Sequence, residues 1–159
     1  MGKMSRTKGQ SGEREVAHLI FDLLGIEVHR NWQEQSAQGG SDLYGLGGFS
    51  VEVKRYKEVT PSLIKGWWEQ TVGQANNNEI PVLFYRGDRQ PWRVVMDGSW
   101  VMVAEYSMPM ENEDNQLTQN VFTPDWLFEY EFSITMTPEL FATLARGEIE
   151  WDQQKSLQH

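Results

Sequence analysis

The chain has 159 residues, 39% hydrophobic and 23% charged, which suits one globular domain and excludes a disordered chain. No apolar run is long enough to span a bilayer, and the absence of cysteine removes disulfides, thiolate nucleophiles and cysteine-based zinc sites. The net charge of −9 argues at first against a nucleic-acid partner, but residues 1–57 carry +1, residues 58–95 balance, and residues 96–159 carry −10.

The acidity therefore belongs to the last part of the chain, and residues 1–95 read as one functional unit. Residues 1–12 hold Lys3, Arg6 and Lys8 among Gly, Ser and Thr, which predicts a flexible basic arm. No apolar run follows it, so no signal peptide is expected, and a cytoplasmic location is. From Glu13 to Leu24 the apolar positions Val16, Leu19, Ile20, Leu23 and Leu24 keep one helical face, with Ser11 as N-cap and Gly25 as stop. Residues 26–30 read as a short strand and 31–40 as a loop. Strands over 42–46 and 49–55 follow, joined across Gly47-Gly48.

Thr60-Pro61 opens a helix expected to end near Asn77, with Ile64, Trp68, Thr71, Val72 and Ala75 as its buried stripe. Strands are predicted over 81–85 and 92–96, separated by the turn 86–90. The order α-β-β-β-α-β-β makes a mixed α/β core over residues 13–96. Beyond it, residues 100–106 and 126–135 read as strands, 108–123 as an acidic loop and 138–146 as a helix. Residues 97–159 form an acidic C-terminal extension, packed on the core or appended to it, and a possible docking surface for a protein partner.

The chemistry concentrates between Gly39 and Lys54. On the strand at 49–55, period two sets Glu52 and Lys54 on one face roughly 6–7 Å apart. Such a pair is costly on a half-buried strand unless it is paired or at work; an exposed edge strand carrying an ordinary ion pair is the alternative. Asp42 supplies a second carboxylate. With Glu52 and the main-chain carbonyl of Val53 it makes an oxygen set suited to Mg²⁺, or Mn²⁺ in its place, with Lys54 set to orient water and offset charge on phosphate. One condition applies. A strict two-residue loop at Gly47-Gly48 puts Asp42 and Glu52 on opposite faces, so the turn must be three residues long or a bulge must shift the register. Glu13, on the sheet-facing side of the first helix, either sits exposed at the helix start or points at the cation.

Glu13, Gly40-Ser41-Asp42, Glu52-Val53-Lys54 and Gln70/Gln74 together resemble the PD-(D/E)XK nuclease superfamily. Within it they are most similar to archaeal-type Holliday junction resolvases and their phage-borne relatives. The runs Trp67-Trp68-Glu69-Gln70 and Pro81 to Arg86 add to the phage likeness, which covers roughly residues 8–96. The resemblance implies a restriction-endonuclease-like core with a mixed central sheet flanked by helices, and a Mg²⁺-dependent endonuclease that acts on branched DNA as a homodimer. Asp42 and Glu52 are then metal ligands, Lys54 the catalytic lysine and Glu13 a further ligand through water. Arg14 and Arg30 match positions that touch phosphate, and Gln70 and Gln74 match positions that line the site. Lys8 and Arg55 belong to the sparse basic groups available to DNA. Ser41 stands where the motif's name has proline. Rival readings are a restriction- or repair-type nuclease on linear or flapped DNA, and a non-catalytic DNA- or protein-binding module on the same fold.

Overall fold

A computed structural model describes residues 3–31, 40–76, 78–101 and 133–156. In chain order the elements are α1 (Lys3–Leu24), β1 (His29–Arg30), β2 (Leu43–Tyr44), β3 (Phe49–Tyr56), α2 (Pro61–Gln74), β4 (Ile80–Gly87), β5 (Arg93–Asp97), β6 (Ser133–Met136) and α3 (Pro138–Ser156). The strands form one six-stranded sheet in sequential order, β1 to β6. β3 and β4 are parallel, bridged by α2, and every other neighbouring pair is antiparallel.

Alternation along the central strands divides the core into two layers. Val51, Val53, Val82, Phe84, Val94 and Met96 pack with Val16 and Ile20 of α1 and Phe141, Leu144 and Ala145 of α3. On the opposite face Leu83, Tyr85 and Val95 pack under Trp67 of α2. The result is the α/β sandwich expected, with helices on both faces of a mixed sheet.

The structure corrects several expectations. Residues 3–12 are helical, not a flexible arm, because α1 begins at Lys3. Ser11 lies inside the helix and donates to Glu15 four residues on, at 3.2 Å, so it is no N-cap. Gly12 lets this turn lie against the sheet, since a β-carbon there would stand 3.1 Å from Arg55 Cβ. The expected stop holds: Gly25 sits at φ 72 and donates to the Phe21 carbonyl at 2.8 Å.

Thr60 caps α2 as expected, its side chain accepting from Leu63 N. The buried stripe is rotated, however. Trp67 and Thr71 are buried while Val72 is 47% exposed, because Trp67 reaches down to Tyr56 and Tyr85. Residues 98–101 are helical instead of starting a strand; Asp97 Oδ1 accepts from Ser99 N at 2.7 Å and Trp100 N at 3.4 Å, which starts the turn.

The expected boundary at residue 97 falls inside the fold. β6 pairs with β5, and Phe141 makes edge-on ring contacts with both Phe49 and Phe84. α3 runs to Ser156, well past the expected end at 146. Arg146 of α3 donates to the Leu23 carbonyl at the end of α1, at 2.7 Å. Part of the acidic extension thus completes the same sheet and core. The loop at 32–39, residue 77, and the strand and acidic loop expected within 102–132 lie outside the described residues.

Candidate active site

Three elements meet around Glu52. β3 is central in the sheet, so Glu52 is buried along with Ser50, and the exposed-edge alternative is excluded. Its strand partner is Leu83 and that of Lys54 is Tyr85, both under α2, which fixes Glu52 and Lys54 on the α2 face. Lys54 Nζ donates to Glu52 Oε1 at 2.6 Å.

The hairpin meets the register condition through a bulge. Phe49 N donates to the Leu46 carbonyl at 3.1 Å, closing the turn over Gly47-Gly48. Counted back from that closure, an uninterrupted ladder sets Leu43 opposite Glu52, but its partner is Val51. One extra residue is taken up on the β2 side. Gly45 accommodates it at φ 105, where a side chain would meet the Glu27 carbonyl at 3.2 Å.

The shift brings Asp42 beside Glu52. Asp42 N donates to the Val51 carbonyl at 2.8 Å, and Asp42 Oδ2 accepts from Val53 N at 2.9 Å. Asp42 is therefore bonded to both chain neighbours of Glu52. Asn31 N donates to its carbonyl at 2.9 Å, which ties the edge of β1 to the same point.

Electrostatics follow from this crowding. Burial, then the nearby Asp42 carboxylate, raise the Glu52 carboxyl to about 7, although Lys54 pulls the other way. Glu13 is buried on α1 and paired with Arg30 of β1. Burial raises its carboxyl above the ordinary range, and Asp42 adds to this, against the opposing pull of Arg30 and Arg14. Glu13 is thus not exposed at a helix start; it lies within the field of Asp42.

The donor chemistry fits a hard divalent cation. Among the described residues no group of three or more His, Cys, Asp or Glu is placed to hold a metal, so an all-protein cage is absent from them. Two adjacent carboxylates instead match the mode of Mg²⁺, which takes one or two carboxylates and leaves positions for water and phosphate.

The remaining expected residues divide. Arg14 and Gln70 are exposed, and Gln74 is half-buried on α2. Gln74 Oε1 is enclosed without a hydrogen-bond partner among the described residues. Arg55 lies on the α1 face, opposite Glu52 and Lys54, where it donates to Ser11 Oγ at 3.0 Å and Glu15 Oε1 at 2.6 Å. The side chain of Lys8 is outside the described set. Sequence reasoning missed Glu15, which also binds Arg86 at 2.7 Å and so clamps α1 to β3 and β4. Its only local signal is the spacing from Ser11; the arginines are 40 and 71 positions away in the chain and leave no periodic trace.

A family model described as "Phage putative PDDEXK endonuclease" matches residues 4–129. The chain belongs to this family. As a PDDEXK protein it has the restriction-endonuclease-like fold and is a nuclease. It is similar to Protein D14 of Escherichia phage T5, with 26% identity over 151 residues that cover 77% of this chain and 91% of that protein. No solved structure matches. The PDDEXK match takes in every expected site residue and stops short of β6 and α3. No helix among the described residues is long and apolar enough to cross a membrane.

Proposed function

We propose that this nuclease is a Mg²⁺-dependent endodeoxyribonuclease that cleaves branched DNA, in the manner of a Holliday junction resolvase, and that it works as a homodimer. The observation that carries the catalytic part is the bonding of Asp42 to both neighbours of Glu52, which brings two carboxylates together beside Lys54. Branched DNA and the dimer rest on the likeness of Glu13, Gly40-Ser41-Asp42 and Glu52-Val53-Lys54 to archaeal-type resolvases.

Asp42, Glu52 and the Val53 carbonyl would hold the cation. When bound, it supplies charge to activate water and to neutralise the phosphate oxygens. The protein does the rest. Lys54, held by Glu52, presents an ammonium to the attacked phosphate and orients the water. Asp42, fixed through the Val53 amide, cannot swing away from Glu52. The Glu13–Arg30 pair leaves Glu13 to act through water, with Arg30 held beside the site.

The test is cleavage of a labelled four-way junction beside linear, flapped and single-stranded DNA, with Mg²⁺ or EDTA, by the wild type and Glu52→Ala. Paired symmetrical nicks on the junction alone, lost with EDTA and in the variant, are expected. Equal cutting of linear duplex would overturn the branched substrate and keep the nuclease. Junction binding without any cutting would favour the binding module.

A further inference from the structure

Tyr44 is a large aromatic side chain left open on the sheet next to the carboxylates. It is 53% exposed, on a strand whose next residue inward, Leu43, is 1% exposed in the core. Its one ring contact among the described residues is His29 across β1, with centroids 5.5 Å apart and planes tilted by 44°. His29 is exposed as well. An aromatic side chain left this open forgoes much of the burial free energy that its size offers. The other exposed tyrosine among the described residues, Tyr56, is accounted for by Trp67 at 4.7 Å.

The face matters. Leu43 and Arg30 are strand partners and point toward α1, Leu43 into the core and Arg30 onto Glu13. Tyr44 and His29, one residue on, therefore face the other way, the side carrying Asp42, Glu52 and Lys54. Tyr44 is two residues from Asp42, roughly 7 Å along an extended chain. Of the strands, α2 packs mainly against β3 and β4, and among the described residues no helix is mainly packed on this face of β1 and β2.

We infer that His29 and Tyr44 form a stacking platform for an unpaired nucleobase next to the nuclease centre, and that it selects DNA whose base stack is interrupted. Three features argue for this occupant. The platform is continuous with a site that handles a phosphodiester. Its rings present flat π-faces, which every base can stack on without sequence readout. In continuous duplex each base already has two stacked neighbours and gains nothing, whereas at a branch, flap or single strand the platform replaces a lost neighbour. The inference rests on the nuclease reading for its location and deepens it by naming how DNA with an interrupted stack is held in preference to continuous duplex.

The experiment measures equilibrium binding of full-length protein, in EDTA so that no strand is cut, to fluorescein-labelled single-stranded, flapped, four-way and linear duplex DNA. Wild type, Tyr44→Ala, Tyr44→Phe and His29→Ala are compared, each checked for unchanged circular dichroism. Tyr44→Ala should weaken binding to single-stranded and flapped DNA by about 5-fold or more, with linear duplex changed less than about 2-fold. Tyr44→Phe, which keeps the ring, should bind like the wild type, and His29→Ala should fall between. Equal losses on duplex and unpaired DNA, or no loss on either, would overturn the platform. So would a change of oligomeric state in Tyr44→Ala by sedimentation, which would make this edge an interface between copies. Cleavage with Mg²⁺, run on the same four DNAs, separates the two readings. Wild-type cutting without a Tyr44 effect removes the platform alone, and selective loss of binding without any cutting removes the catalytic reading alone.

Discussion

Glu52 carries opposite demands at the level of the single residue. Burial and the neighbouring Asp42 hold its proton up to about 7, against the pull of the bonded Lys54. A carboxyl whose folded pKa is raised favours the protonated form in the native state. It therefore contributes stability at low pH, and this is lost as pH rises through about 7. Cation-free protein should lose stability between about pH 5 and about pH 7.5, on the order of 2 kcal/mol from this group. Glu52→Gln should flatten that slope, as thermal melts in EDTA would show. Added Mg²⁺ should raise the melting temperature of the wild type more at about pH 8 than at about pH 6, because the cation competes with the proton. Glu52→Gln should lose this response. The identities of Asp42, Glu52 and Lys54 were legible from the chain, since a charged pair within a β-patterned strand has few cheap explanations. Which of the two ways brought Asp42 to Glu52 was not. A single residue absorbed at Gly45 decided it, and glycine spacing does not say where a bulge falls.

Helix α2 shows the same division among the elements. Thr60-Pro61 announced its start through cap chemistry, which is local. The phase of its buried face was read through Trp68 and Val72, whereas Trp67 and Thr71 are the residues covered. Adjacent tryptophans give no periodic reason to choose between them; Tyr56 and Tyr85, brought up by β3 and β4, make the choice. Two glycines provide a paired test. A β-carbon at Gly66 would meet nothing within 4 Å, whereas one at Gly12 would meet Arg55 Cβ at 3.1 Å. Gly66→Ala should raise stability by about 1 kcal/mol through helix propensity. Gly12→Ala should gain nothing or lose stability, because α1 must lift off the sheet. Urea titrations of both variants would check this.

Across the whole molecule, the charge split was visible and the structural boundary was not. The −10 balance of residues 96–159 suggested an extension packed on the core or appended to it, and Met136, Phe141, Ala142, Leu144 and Ala145 are residues of the core itself. A helix and strand that follow a long acidic stretch keep their local patterns but carry no mark of which sheet they join. Phe141→Ala should cost about 3–5 kcal/mol, measured by chemical denaturation, since its ring meets both Phe49 and Phe84. Truncation before Asp97 should give insoluble protein, because it strips β6 from β5 and uncovers the α3 side of the core.

The pairing of Asp97 with Ser133 makes β5 and β6 a hairpin whose connection has grown to 35 residues, its two ends held roughly 5 Å apart as ladder partners. Two positions far apart in the chain are thus one place in the fold. Residues 102–132 contain seven acidic residues and no basic one. Without their seven negative charges the formal charge of the chain would be −2 instead of −9. Most of the net charge of this nuclease thus enters the chain between two residues that the sheet holds side by side.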